Sequence, residues 1–481
     1  MSLPEHRQRA ERVIVICFDG TSNTFHADGT ESNILKIFRM LERGDDNLYC
    51  YYQPGVGTEI SPTSLSSNAI RRHSKLFSSK LLDSALAVSF DQHVLGGYRF
   101  LMRHYRTGSQ IYIFGFSRGA YTARFLNEML DYTGLLAADN EEMIPFIWEA
   151  FSSYKLTVGA KNLLDREESK KSLNFLRACS ETVCREVDRV HFLGLFDTVN
   201  SIAEYQVNAE VKPNSEIIRH ALSIDERRVK FYPVLIEPKK EYHFRFHRRL
   251  WPWSYAGSTT CGQGVNNSDK QDIEEVWFPG SHTDVGGGWD FGQDEDWRLS
   301  HGPLVWMVYE AQRAGLHFNK EKLDRLMNSE RQDRADSING NIEKRALDTP
   351  EDLVKSLHLS STKGVLHDNL QAGEGVSKES TRLWRLVEYL PFRRMVLQLD
   401  GSWKPTRWPL HRGRSRDVPK YAHIHVSAIE RMKANTNYRP MNIILEGPAV
   451  RKGQAPVQFG IGKWKISSHE GDRVREAYVR E

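Results

Sequence analysis

The chain has 481 residues, 40% hydrophobic and 27% charged, so it can bury a sizeable core and is not broadly disordered. Its formal charge of +4 is small for this length and gives no basis for nucleic-acid binding, and no apolar run reaches the roughly 18–20 residues that span a bilayer. The five cysteines (Cys17, Cys50, Cys179, Cys184, Cys261) form no C-x-x-C pair and read as reduced thiols without a zinc site.

Residues 1–11 are polar and lack the apolar centre of a signal peptide, so a cytoplasmic protein is expected. Val13 to Phe18 is a continuous apolar run, the pattern of a strand buried on both faces of a parallel sheet. It ends in Asp19-Gly20-Thr21-Ser22-Asn23, a polar loop at a strand end, where open α/β sheets place function. Asp19 could equally be a turn and cap residue. A D-G-T after a strand also occurs in phosphatases with an Asp nucleophile. Those put the nucleophile two residues earlier, and here that position is Cys17.

Asn33 to Leu41 reads as a helix and Leu48 to Gln53 as a second strand, closing in Pro54-Gly55-Val56-Gly57-Thr58. An irregular serine-rich segment runs to about Asn68. Leu81 to Arg103 has helical spacing.

Ile111 to Phe114 is a short β-branched and aromatic run that stops at Gly115. Ser117 stands between Gly115 and Gly119, and an amphipathic run follows through Leu130. Strand, tight turn and helix with G-x-S-x-G at the turn make a nucleophile elbow. The glycines remove the Cβ atoms that would collide there, and the serine hydroxyl rises above the sheet edge. The Arg118 N–H, at a helix start, and an N–H from the Asp19-Gly20 loop are the candidate oxyanion donors. A Gly-rich turn with a solvated serine is the plain alternative.

Residues 141–188 read as an inserted helical block. Val190 to Phe196 resumes the sheet and ends in Asp197. A carboxylate at a strand end downstream of the serine is where an α/β hydrolase puts its acid; a helix-capping Asp is the alternative. Ile217 to Arg228 reads as a charged helix. Basic and aromatic residues alternate through Lys239 to Trp253, the composition of a segment at an anionic lipid surface or of an edge strand with its charges in water. Val276 to Pro279 reads as a last short strand, followed by Gly280-Ser281-His282-Thr283-Asp284-Val285-Gly286-Gly287-Gly288. His282 completes the chain order Ser, Asp, His, with Asp284 as a supporting carboxylate that orients it or binds a metal with Asp19. No ligand spacing supports a metal. A polar loop histidine is the alternative.

Leu304 to Leu316 is an amphipathic helix, and residues 321–348 are charge-rich. Leu383 to Leu397 is aromatic and basic, the composition of a lid, a surface-binding element or a core segment. The Arg-rich loop 407–416 reads as solvated. His423 and His425, alternating with apolar neighbours, are rival bases whose pattern suits a strand. Without a clear linker the chain divides into a core over 11–320, with insertions near 138–190 and 235–272, and a helical or irregular C-terminal region over 321–481 packed on it.

Several motifs occur in one order: Phe18-Asp19-Gly20-Thr21, Tyr52-Gln53-Pro54-Gly55-Val56-Gly57-Thr58, Gly115-Phe116-Ser117-Arg118-Gly119-Ala120, Phe196-Asp197-Thr198-Val199, His220-Ala221-Leu222-Ser223-Ile224-Asp225-Glu226-Arg227 and Trp277-Phe278-Pro279-Gly280 leading into the His282 loop. Together they resemble the largely uncharacterised α/β-hydrolase domain family that includes phospholipase effectors of the type VI secretion system. The resemblance covers about residues 11–320, with a weaker echo at His425-Val426-Ser427. It implies an α/β-hydrolase core, a mostly parallel sheet flanked by helices with helical insertions. It also implies Ser117 as nucleophile and Asp197 as acid, and favours His282 over the later histidines as base. The effectors are larger and carry membrane-targeting parts with no evident counterpart here, so a stand-alone intracellular member is expected.

The expected function is a serine hydrolase of carboxylic esters, lipid or phospholipid acyl esters first, with no cofactor and no nucleic-acid partner. Peripheral membrane contact is the accompanying expectation; oligomeric state is left open. Two other classes stay open: a non-catalytic α/β-hydrolase-like binding protein, and a metal-dependent phosphohydrolase built on Asp19, Asp197 and Asp284.

Overall fold

The computed structural model describes residues 12–20, 30–55, 79–157, 163–199, 213–236, 271–289, 295–328, 350–373, 376–398, 402–444 and 460–481. The segments 21–23, 56–78, 239–253 and 329–349, singled out above, lie outside the described residues.

Among the described residues, thirteen strands follow in chain order: β1 (Val13–Phe18), β2 (Leu48–Gln53), β3 (Gln110–Phe116), β4 (Leu135–Leu136), β5 (Cys184–Arg185), β6 (Val190–Phe196), β7 (Ser215–Ser223), β8 (Asp272–Phe278), β9 (Arg394–Leu397), β10 (Trp403–Thr406), β11 (His423–His425), β12 (Trp464–Ser468) and β13 (Ala477–Arg480). Nine form one sheet in the order β12-β13-β11-β8-β7-β6-β3-β1-β2. From β2 across to β11 all neighbours pair parallel, and β13 and β12 add an antiparallel edge.

The apolar runs are continuous because both faces of the sheet are covered. Ile14, Ile16 and Phe18 of β1 enter one core with residues of the helices Ser79–His104, Arg118–Thr133 and Ile144–Thr157. Val15 and Cys17, between them, enter the opposite core with the helices Asn33–Met40 and His301–Arg313. This is an α/β-hydrolase-like fold: a mostly parallel central sheet between two helical layers. The expected insertion after the elbow holds the helices Ile144–Thr157 and Leu163–Thr182, between the paired short strands β4 and β5.

Chain direction across the sheet reverses between β1 and β3. From β1 the chain steps outward to β2; from β3 it steps the other way to β6, β7 and β8. Such a switch point opens a crevice beyond the carboxyl ends of the two strands, and Asp19 and Ser117 stand at those ends.

Two expectations need correction. The segment 217–228 is not a charged helix: its first part is β7, in the middle of the sheet. Its charges are paired rather than solvated. Arg219 is held by Glu310 at 2.5 Å and Asp272 at 2.6 Å, and His220 meets Glu275 at 2.8 Å. Charge count therefore mimicked an exposed helix. Nor does the sheet end near residue 320. That boundary falls at the start of the helix Lys320–Asn328, and β11, β13 and β12 come from beyond it. The C-terminal region completes the sheet instead of packing on a finished core.

Candidate active site

Ser117 caps the helix Arg118–Thr133 with φ 59° and ψ −123°, a left-handed φ that a non-glycine residue adopts at a cost of order 1–3 kcal/mol. The turn is held from both ends: Ser117 N–H donates to Phe196 O at 3.0 Å, and Val199 N–H donates to Ser117 O at 3.3 Å. The flanking glycines are dictated by space. A Cβ on Gly115 would lie 2.5 Å from Ala120 Cα, and one on Gly119 would lie 2.3 Å from Phe18 O and 2.4 Å from Asp19 O. The end of β1 thus presses on the first turn of the helix.

Asp197 follows β6 and is fully buried. His282 opens the short helix His282–Gly286, with its ring packed by Phe116 at 4.8 Å and Phe231 at 4.7 Å between centroids. The three side chains meet. His282 Nδ1 is 2.5 Å from Asp197 Oδ2, and His282 Nε2 is 2.8 Å from Ser117 Oγ. A neutral imidazole with its proton on Nδ1 donates to Asp197 and leaves Nε2 to accept the serine proton. Burial lowers the His282 pKa below its ordinary value, only partly offset by the hydrogen bond and charge of Asp197. The shift favours the uncharged ring.

Asp197 is a carboxylate held charged inside the protein. Burial alone would raise its pKa, but the Arg416 charge and the His282 hydrogen bond override it and hold the group well below the carboxylate range. Arg416 Nη1 donates to Oδ1 at 2.6 Å and Nη2 to Oδ2 at 2.9 Å, while Ser223 N–H donates to Oδ1 at 3.0 Å. Arg416 also donates to the Phe231 carbonyl, tying the ring that packs on His282. The reading of loop 407–416 as solvated is thus wrong at Arg416, which is buried. Nothing in the local sequence marks it, because its partners lie more than 180 positions away.

The residues around His282 are braced from 225–228. Gly280 N–H donates to Asp225 at 2.7 Å, and His282 N–H donates to Glu226 at 3.3 Å. Burial would raise the Glu226 pKa, yet the Arg228 ion pair at 2.8 Å brings it to about 2. Asp225 and Glu226 lie in the motif His220–Arg227, but nothing in their local sequence points to the His282 loop.

Other predicted residues fall elsewhere. Asp284 does not bond His282: its carboxylate accepts from Ser281 N–H at 2.8 Å and faces the His367 ring at 2.6 Å, bracing the short helix. Asp19 Oδ2 accepts from Ser32 Oγ at 2.6 Å and from Tyr52 OH at 2.7 Å. The Gly20 N–H, expected as an oxyanion donor, is held by Asp19 Oδ1 at 2.6 Å in a tight local turn. Arg118 stands at the first helical position, where N–H groups have no acceptor within the helix. Asp19, Asp197 and Asp284 each serve different partners, and among the described residues no group of three or more His, Cys, Asp or Glu could hold a metal ion.

The rival histidines meet other partners. His423 is exposed and lies 3.0 Å from Ser467 Oγ. His425 accepts from Ser427 N–H, lies 3.0 Å from Val474 O and stacks on Phe278 at 4.4 Å. Burial lowers its pKa to about 4.

A serine on a strained strand-to-helix turn, a buried imidazole and a buried carboxylate, set on this sheet, place the chain in the α/β-hydrolase class. More particularly, residues 12–310 match the model of the type VI secretion system phospholipase effector Tle1-like catalytic domain, and the chain belongs to that family. Membership suggests a lipid ester hydrolase. The chain is similar to the uncharacterized protein YEL023C of Saccharomyces cerevisiae (strain ATCC 204508 / S288c), 27% identical over 92% of this chain and 82% of that one. Two solved structures resemble it distantly. An uncharacterized protein from Pseudomonas aeruginosa is 17% identical with a TM-score of 0.34, covering 73% of this chain and 53% of that one, so the match spans about half of that protein. A Tle1 effector bound to the VgrG spike of the type VI secretion system is 15% identical with a TM-score of 0.33, covering 71% of this chain and 82% of that one.

Proposed function

We propose that the protein is a serine hydrolase of carboxylic esters acting through Ser117, His282 and Asp197, with lipid or phospholipid acyl esters as substrates. The observation that carries this reading is the unbroken run of contacts from Ser117 Oγ through His282 to Asp197, at 2.8 and 2.5 Å. Family membership supports the substrate class.

Ser117 Oγ attacks the ester carbonyl carbon while its proton passes to His282 Nε2. Asp197, ionised, stabilises the imidazolium. The negative charge developing on the carbonyl oxygen falls near the N-terminus of the helix Arg118–Thr133, with the Arg118 N–H as donor. One such donor is worth about 3–4 kcal/mol in related chemistry. Collapse breaks the ester C–O bond, and His282 returns the proton to the departing alcohol. Water, deprotonated by the same ring, then attacks the acyl-Ser117 ester, releasing the acid and restoring the serine.

The test is covalent labelling by a fluorophosphonate, together with hydrolysis of a short p-nitrophenyl ester and a fluorogenic phospholipid. Labelling and hydrolysis that vanish in Ser117→Ala support the reading. A folded wild type that neither labels nor hydrolyses overturns it in favour of a binding protein. Placement of the protein in the cytoplasm, with peripheral membrane contact, belongs to the same proposal.

A further inference from the structure

The helix Lys378–Val387 and the residue after it carry two stripes. The inner one is Thr381, Trp384 and Glu388. Trp384 packs edge-on against Phe231 at 5.5 Å, and Phe231 packs on His282. Glu388 accepts from Val229 N–H at 2.7 Å and Gly413 N–H at 3.0 Å, and lies 2.8 Å from His411 Nδ1. This stripe fixes the helix to the wall of the candidate site.

The outer stripe breaks the usual rule that a helix turns its polar face to water. Leu383 and Leu386 are 63% and 68% exposed, and Tyr389, Leu390, Met395 and Trp408, which follow in the chain, are exposed as well. Half of the twelve large apolar side chains exposed among the described residues therefore fall within 383–408. Arg412 lies over the Tyr389 ring at 5.8 Å, and Arg394, on β9, donates to Pro409 O at 2.5 Å. Exposed cations share the segment at Arg382, Lys404, Arg407, Arg412 and Arg414; among the described residues of 376–414, Glu379 is the one exposed carboxylate.

We propose that this face docks on an anionic lipid bilayer, with the leucines and aromatic rings at headgroup depth and the cations on lipid phosphates. Two observations select that occupant. The rim is cationic, so a symmetric contact with a second copy would set like charges against each other. The inner stripe of the same helix reaches His282 through a single ring, which brings the site to the surface that holds its substrate. That last link rests on the lipid-ester reading; the docking itself does not. The face lies outside the matched residues 12–310, so family membership does not supply it.

The test is co-sedimentation of the full chain with vesicles of phosphatidylcholine alone or mixed with phosphatidylglycerol, beside hydrolysis of a soluble p-nitrophenyl ester. Wild type should bind the mixed vesicles and bind phosphatidylcholine weakly. Leu383→Asp with Leu386→Asp, and separately Arg382→Glu with Arg407→Glu, should each lower the bound fraction about tenfold or more while ester hydrolysis stays within about twofold. Wild type that ignores anionic vesicles, or variants that bind like wild type, overturn the proposal. Binding that follows this pattern in a protein without esterase activity supports the surface and sinks the hydrolase reading; esterase activity without vesicle binding does the reverse.

Discussion

Arg416 grips both oxygens of Asp197 across 219 positions of chain, with its guanidinium nitrogens at 2.6 and 2.9 Å. A bidentate pair of this kind sets orientation as well as charge. It fixes Asp197 Oδ2, the oxygen that also meets His282 Nδ1, so the aim of the imidazole depends on a residue outside the family's catalytic segment.

Removing Arg416 strands a buried carboxylate. Arg416→Ala is expected to destabilise the fold by about 3–5 kcal/mol at pH 7 and to lower kcat with little change in KM. The sign with pH follows from Asp197. Its folded pKa lies below the unfolded value, so the pair's stabilisation is present above the unfolded carboxylate range and is lost as pH falls. Denaturant melts of wild type and variant should therefore draw closer from about pH 4 to pH 3, with the rest of the gap closing only at still lower pH. Melts separated equally at pH 7 and pH 3 would contradict the ion pair.

The identity of the base is decided by paired histidine variants. His282→Ala should reduce kcat by about 10²–10⁴-fold, the range for a positioned acid–base group. His425→Ala should cost stability, through its lost cap and its stack on Phe278, and leave the specific activity of folded protein near wild type. An inactive but fully folded His425→Ala would reverse the assignment.

The rate profile should show an acid limb set by His282. Because burial lowers its pKa, the base stays unprotonated further into acid than a free imidazole does. kcat/KM should be flat near neutrality and fall only below the ordinary histidine value of about 6.5. A midpoint above that value would mean that Asp197 outweighs burial.

Gly119→Ala tests the geometry of the elbow without touching its chemistry. The added methyl meets two backbone oxygens, which cannot swing aside as a side chain can. A loss of about 1–3 kcal/mol is expected, with a fall in activity larger than in Gly302→Ala, where a Cβ meets nothing within 4 Å. Thermal melts and ester assays on both variants make the comparison.

Asp284→Asn should act through position rather than contact. It weakens the hold of His367 and Ser281 on the short helix, so kcat should fall while KM for a soluble ester stays near wild type. A fall in stability alone, with kcat unchanged, would confine Asp284 to a structural role.

The sequence by itself determined β1, β2, β3, β6 and the elbow, since each is local. A strand covered on two faces must be apolar throughout, as Val13 to Phe18 is, and a serine on a sharp turn needs Gly115 and Gly119 beside it. It also placed Ser117, Asp197 and His282 at strand ends in hydrolase order. Only the tertiary structure could bring them to 2.8 and 2.5 Å and separate His282 from His425. The same holds for β7, whose charges look solvated until Glu310, Asp272 and Glu275 arrive from distant segments. Arg416 is the clearest case. An arginine in an Arg-rich loop carries no local sign of burial; its environment is made by Asp197, Ser223 and Phe231, which only folding puts around it.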